Sequence, residues 1–167
     1  MRLQWMEKYL TDAEQMILDD RVEEGLKLLN NLLYEEPGYG SLHNHLGWAY
    51  LYYTENIILA ELHLKTAIKF DHSHVAPYIH LSTLYLKNAR YTDAIACSEM
   101  GLAKCNGKDI SLVKILAQAH ELNKNWRMAI KTYKDALSTS IVDYEVDHLL
   151  SSIKRCRKKR ITLFFGL

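Results

Sequence analysis

The stretch "LGWAYLYYTENIILAELHLKTAI", residues 46–68, decides how the whole chain reads. Leu46, Gly47 and Tyr50 fall in one apolar segment and Ala60, Leu64 and Ala67 in the next, with the polar "TEN" between them. Apolar positions recur at three- and four-residue steps and no useful period-two run appears, so the segments read as two helices rather than strands. Gly47 and Ala60 are small enough for two antiparallel helices to cross with their axes nearer ~8 Å than ~10 Å apart. Tyr50 then fills the groove beside that crossing.

The pattern repeats. Small residues stand at Ala13, Gly47, Ser82 and Ala117, spaced 34, 35 and 35 residues apart. Three residues after each come Met16, Tyr50, Tyr85 and His120. The second helices carry Gly25, Ala60, Ala94 and Ala129, followed four residues later by Leu29, Leu64, Ser98 and Tyr133, and seven later by Leu32, Ala67, Gly101 and Ala136. Val22, Ile57, Tyr91 and Trp126 precede the second small column by three residues, where they are expected to plug the corner between paired helices. A self-similarity of this period marks a helical repeat array.

Leu46-Gly47-x-x-Tyr50 with Ala60, and Leu81-Ser82-x-x-Tyr85 with Tyr91 and Ala94, resemble the tetratricopeptide repeat. The resemblance divides residues 1–143 into four units, 6–39, 40–74, 75–109 and 110–143. One extra residue lies in the inner turn of the second unit and one in the turn after the third. Only Pro37 keeps the exit proline; His72, Asn106 and Ile141 stand in its place elsewhere. The implied fold is all-α, a right-handed superhelix of about four such repeats. Residues 144–167 supply an amphipathic capping helix, with Val146, Leu149, Leu150, Ile153 and Cys156 on one apolar face, followed by a basic-apolar tail.

Composition is consistent with this reading. The chain has 167 residues, 49% hydrophobic, with two prolines and seven glycines, so long helices go unbroken. Its 21 Lys+Arg balance 20 Asp+Glu, which exerts no global pull toward nucleic acid or membrane. Three cysteines without a CxxC point to reduced thiols, and "MRLQWMEKYLTDAEQM" has acids where an export signal needs an apolar core. The expected setting is cytoplasmic.

No catalytic motif emerges. "GLAKCNGKD" has the wrong spacing for a phosphate loop and ends in Asp109 where Ser or Thr would hold magnesium, and "HELNK" lacks the second histidine of a zinc-protease helix. His43 and His45 diverge on one helix, and His72 with His74 lack a nearby cysteine, so neither a metal nor any other cofactor is expected.

The resemblance implies that the first helix of each repeat lines a concave groove. That places Glu14, Trp48, Thr83 and Gln118 on the groove face, with Thr11, His45, His80 and Ile115 beside them and Asn44, Tyr52, Lys87, Lys114 and Glu121 further along. An exposed Trp beside Tyr and His suits a binding hot spot; Trp48 packed between neighbouring helices is the alternative. His45 and His80 are placed to titrate near neutrality. The positions of the two-carboxylate clamp, used by relatives that bind acidic chaperone tails, hold Leu10, Glu14, His45, Ala76 and His80, so that ligand is not expected.

The C-terminus departs from the pattern. In "KRCRKKR", Lys154, Arg155, Arg157, Lys158, Lys159 and Arg160 crowd into residues 154–160, with Phe164 and Phe165 beyond. Without these six the body has 15 basic against 20 acidic residues, a net of −5. The reading is a non-enzymatic adaptor, scaffold or chaperone-like protein that captures a partner's peptide or helix in the groove. Self-association through the tail, docking on the body of another copy, is a further expectation. The alternative is a peripheral binder of anionic membrane or nucleic acid through the tail, although the tail lacks the interleaved aromatic residues that single-stranded nucleic acid favours.

Overall fold

A computed structural model describes the backbone of residues 2–165 and the side chains of residues 5–162. Among the described residues every regular element is a helix: α1 (Arg2–Leu18), α2 (Val22–Glu35), α3 (Gly40–Tyr52), α4 (Ile57–Phe70), α5 (Ala76–Lys87), α6 (Tyr91–Lys104), α7 (Ile110–Leu122), α8 (Trp126–Thr139) and α9 (Asp143–Phe165). Val22, Ile57, Tyr91 and Trp126 are the first residues of α2, α4, α6 and α8. Ile57 is not the corner plug the pattern predicts, because it remains 42% exposed.

The turn between paired helices follows one construction four times. Asp20, Glu55, Ala89 and Lys124 all take left-handed backbone, at φ 66, 54, 57 and 61°. The next residue's N–H then returns to a carbonyl of the first helix. Arg21 donates to Met16 at 2.9 Å, Arg90 to Tyr85 at 2.9 Å and Asn125 to His120 at 2.8 Å, closing the otherwise orphaned helix end. In the second pair Asn56 donates to Tyr50 at 3.0 Å across one residue more, which is where the inner turn holds its insertion. The four accepting carbonyls belong to the column of large residues read from the sequence.

The chain divides into two compact units, residues 1–84 and 85–167. In the first, Met6, Leu10, Ala13 and Ile17 of α1 pack with Leu29 and Leu32 of α2 and with Leu42, Leu46 and Ala49 of α3. A Cβ on Gly25 would lie 2.8 Å from the Ala13 carbonyl oxygen, and one on Gly47 would lie 2.5 Å from Leu64 Cγ. The first pair therefore uses Ala13 with Gly25 where the second uses Gly47 with Ala60. The exchange keeps the crossing narrow, which explains why the first repeat departs from the usual residues.

α3 and α4 also enclose a ladder of rings. Tyr50 stacks on His63, His63 on His43 and His43 on Phe70, with centroids 5.7, 5.1 and 5.7 Å apart. His43 Nε2 donates to the Pro37 carbonyl at 2.9 Å, so its Nδ1 is left to accept from His63 Nδ1, also at 2.9 Å. Burial, then the neighbouring His43, pushes the His63 pKa down to about 4. These two histidines are core groups.

In the second unit Ala117, Ala129, Tyr133 and Ala136 pack with Leu149, Ile153 and Cys156 of α9. Leu150, expected on the same apolar face, is 48% exposed, and Ser152 is fully buried instead. Ser152 lies 35 residues after Ala117, so it continues the small-residue column into α9. The ninth helix thus sits in the register of another first helix, and that register turns Leu150 outward. It runs on through the basic stretch to Phe165.

Candidate partner-binding surface

Asn44, Trp48 and Tyr52 succeed one another at four-residue steps and share one side of α3. Around them the first unit gathers four more of the expected groove residues, Glu14, His45, His80 and Thr83, from α1, α3 and α5. Tyr52 meets the His80 ring edge-on at 5.7 Å and its hydroxyl hydrogen-bonds with Thr83. His45 Nε2 stands 3.7 Å from a Glu14 carboxylate oxygen. His45 Nδ1 is 2.8 Å from the Ser41 carbonyl and must carry the proton there, so Nε2 is the nitrogen that holds the lone pair in the neutral ring and a second N–H in the protonated one.

Trp48 fits neither of its two expected descriptions alone. It is half-buried and packs against the first core, while its ring also meets Tyr53 edge-on at 4.9 Å. Asn44 is only 8% exposed and is not an open groove contact; its Oδ1 is buried without a hydrogen-bond partner. His80 Nδ1 is likewise buried and unpartnered. Burial, then the fields of His45 and His74, lowers the His80 pKa to about 4. His80 therefore does not titrate near neutrality, against the sequence expectation.

The corresponding side of α7 is used differently. Glu121, expected in the groove, is 5% exposed and anchors α9. It accepts from Arg155 Nε and an Arg155 terminal nitrogen at 2.7 Å each, from Lys159 Nζ at 3.0 Å and from the Tyr133 hydroxyl at 3.0 Å. Burial alone would raise its pKa, but the hydrogen bonds from Arg155, Lys159 and Tyr133 outweigh burial and hold it at about 2. Arg155 and Lys159 are accordingly committed within the chain rather than free to form a tail contact. Lys159 additionally lies 5.5 Å from the centre of the Trp126 ring.

Lys114, another expected groove residue, pairs with Glu145 of α9. Gln118 is half-buried beside them in a shallow cleft that also includes Tyr144, His148 and Leu149. Lys87 is exposed at the end of α5 and belongs to the second unit. Of the tail, Lys154, Arg157, Lys158 and Arg160 are exposed; the side chains of Phe164 and Phe165 lie outside the described residues. Nothing in local composition distinguishes Glu121 from an ordinary groove acid. The signal that could have found it is the 34-residue step from Glu121 to Arg155, one repeat period.

Among the described residues no group of three His, Cys, Asp or Glu side chains is placed to hold a metal ion, and no helix is long and apolar enough to cross a membrane. No protein-family profile and no curated protein matches the chain. Solved structures do. Yeast Tom70 superposes with a TM-score of 0.80 at 14% identity, over 92% of this chain and 33% of that one. A thermophilic TPR protein from Thermus thermophilus gives 0.71 at 18% identity, over 87% and 79%. A structure of Naa15/Naa10 bound to HypK-THB gives 0.66 at 14%, over 96% and 25%. With the sequence columns, the recurring left-handed turns and these superpositions together, the chain is a tetratricopeptide-like helical repeat protein.

Proposed function

We propose that the protein is a non-enzymatic interaction module that captures a peptide or helix of a partner protein on the α1–α3–α5 side of its first unit. The observation that carries this reading is the stripe of Asn44, Trp48 and Tyr52. It joins the half-buried Trp48 ring to Tyr52, which is 39% exposed, with Glu14, His45, His80 and Thr83 beside them. Aromatic rings set among polar side chains on one accessible side are what a binding hot spot tends to contain. The Naa15/Naa10 structure, of like fold, is a complex with HypK-THB, which agrees with protein capture. Three free cysteines agree with a cytoplasmic setting.

Tyr52→Ala tests the reading. Tyr52 is 39% exposed, so its loss should remove partners crosslinked from cell extract while leaving the helical signal and melting temperature nearly unchanged. Unchanged crosslinks would contradict it.

A second reading concerns the outer side of α9. Leu150, Lys154, Arg157, Lys158 and Ile161 follow helical spacing and are all exposed, although Arg155 and Lys159 are tied inward. A cationic stripe flanked by apolar residues suits either an acidic region of another copy or an anionic membrane surface. Reversing Arg157 and Lys158 to glutamate should abolish vesicle binding or association seen by light scattering at low salt. Neither assay responding would leave the stripe a solvated helix face.

A further inference from the structure

The net charge of +1 conceals an uneven distribution. Residues 1–84 hold 12 Asp+Glu against six Lys+Arg, a net of −6; residues 85–167 hold eight against 15, a net of +7. The proposed capture surface lies in the acidic unit, and neither α3 nor residues 76–84 contains a lysine or arginine. Glu14 offers a carboxylate that is half in solvent, 3.7 Å from His45 Nε2, while His45 Nδ1 is 2.8 Å from the Ser41 carbonyl. In the neutral ring Nε2 is an acceptor, as the carboxylate is, and a donor set between the two satisfies both.

A ligand that complements this carboxylate in an acidic unit brings N–H groups and positive charge. An ammonium or guanidinium placed at Glu14 and His45 satisfies both, and its aliphatic stem rests on the rings of Trp48 and Tyr52, where cation–π attraction adds to the Coulomb term. We infer that the partner segment bound by the first unit is cationic, with a lysine or arginine side chain received at Glu14 and His45 beside the Trp48–Tyr52 stripe. The inference rests on the capture reading above and specifies its ligand. It is the reverse of an acidic-tail clamp: the surface supplies acceptors where such a clamp supplies donors.

The test uses the full chain and three fluorescein-labelled octapeptides in which leucine alternates with arginine, glutamine or glutamate, titrated by fluorescence anisotropy. The arginine peptide should bind at least tenfold more tightly than the glutamine peptide. Glu14→Gln should weaken it at least tenfold, whereas Glu23→Gln, which removes an exposed acid of α2, should leave it unchanged. Equal weakening by the two substitutions would reduce the effect to diffuse attraction by an acidic unit and overturn the assignment. So would a histidine nitrogen spectrum showing both His45 nitrogens protonated in the free protein at pH 7.5, because Glu14 would then be satisfied from within. If the glutamine peptide binds as well as the arginine peptide and Tyr52→Ala abolishes both, the surface captures peptides but the cationic assignment fails alone. If Tyr52→Ala changes no binding, the capture reading fails with it.

Discussion

The same helical side has opposite fates in α3 and α7. On α3 it carries His45 facing Glu14 of α1 at 3.7 Å and the Trp48–Tyr52 stripe, and Tyr52 is 39% exposed. On α7 the matching side is consumed by the chain: Lys114 pairs with Glu145, and Glu121 gathers Arg155, Lys159 and Tyr133. Position in a repeat therefore does not by itself define a ligand contact. What matters is whether another helix of the same chain already occupies that side. α9 does so by continuing the repeat register, with Ser152 buried at the next small-residue position.

The largest effect expected from breaking this contrast is at Glu121. Glu121→Ala strands Arg155, Lys159 and the Tyr133 hydroxyl and removes what holds α9. Losing one partner of a buried ion pair costs about 3–5 kcal/mol. Arg155 and Lys159 are 45% and 43% exposed and regain water, so the loss here should lie near the lower end. Chemical denaturation would measure it, and peptide binding by the first unit should survive. Trp48→Ala comes next. Its ring is half-buried against the core, so stability should fall by about 2 kcal/mol, less than for a fully buried aromatic residue, and capture should be lost as well. Tyr52→Ala separates the two consequences, losing capture with little change in stability.

Acid should also distinguish the units. His63 and His80 fall from an ordinary 6.5 to about 4 in the folded chain. The unfolded chain therefore binds more protons, and the stability these groups contribute is complete above about pH 6.5 and lost as pH falls toward 4. Buried His120 in the second unit is shifted in the same direction. Glu121 moves from 4.5 to about 2, so its contribution holds above 4.5 and is lost between there and 2. Melting temperature measured against pH should fall through both windows. His63→Gln should flatten the upper one and Glu121→Gln the lower.

The smallest expected effect is a gain. Ala89 holds left-handed backbone at φ 57° with no polar side chain to compensate. Ala89→Gly should stabilise by about 1 kcal/mol, visible as a higher melting temperature.

The helix pairs and their crossings were legible because packing repeats: each crossing needs a small residue at one spacing, and Gly47, Ala60, Ala94 and Ala129 keep it. The left-handed turn keeps the same period but was not legible, because Asp20, Glu55, Ala89 and Lys124 share no chemistry and none is glycine. The occupied side of α7 was hidden for another reason. Glu121 reads as a solvated acid until a cation one period later is brought against it, and a basic run at a chain end reads first as a solvated tail. The ring ladder of His43 and His63 was missed because histidines read as polar, although two of them sharing one hydrogen bond pack as an apolar pair does.

Amide chemical-shift perturbation compares the two sides in one experiment. With the arginine–leucine octapeptide titrated into uniformly nitrogen-15-labelled protein, shifts should concentrate at His45, Trp48, Tyr52, His80 and Thr83, and Lys114, Gln118 and Glu121 should stay in place. Shifts centred on α7 and α9, or spread evenly over the acidic unit, would contradict the account.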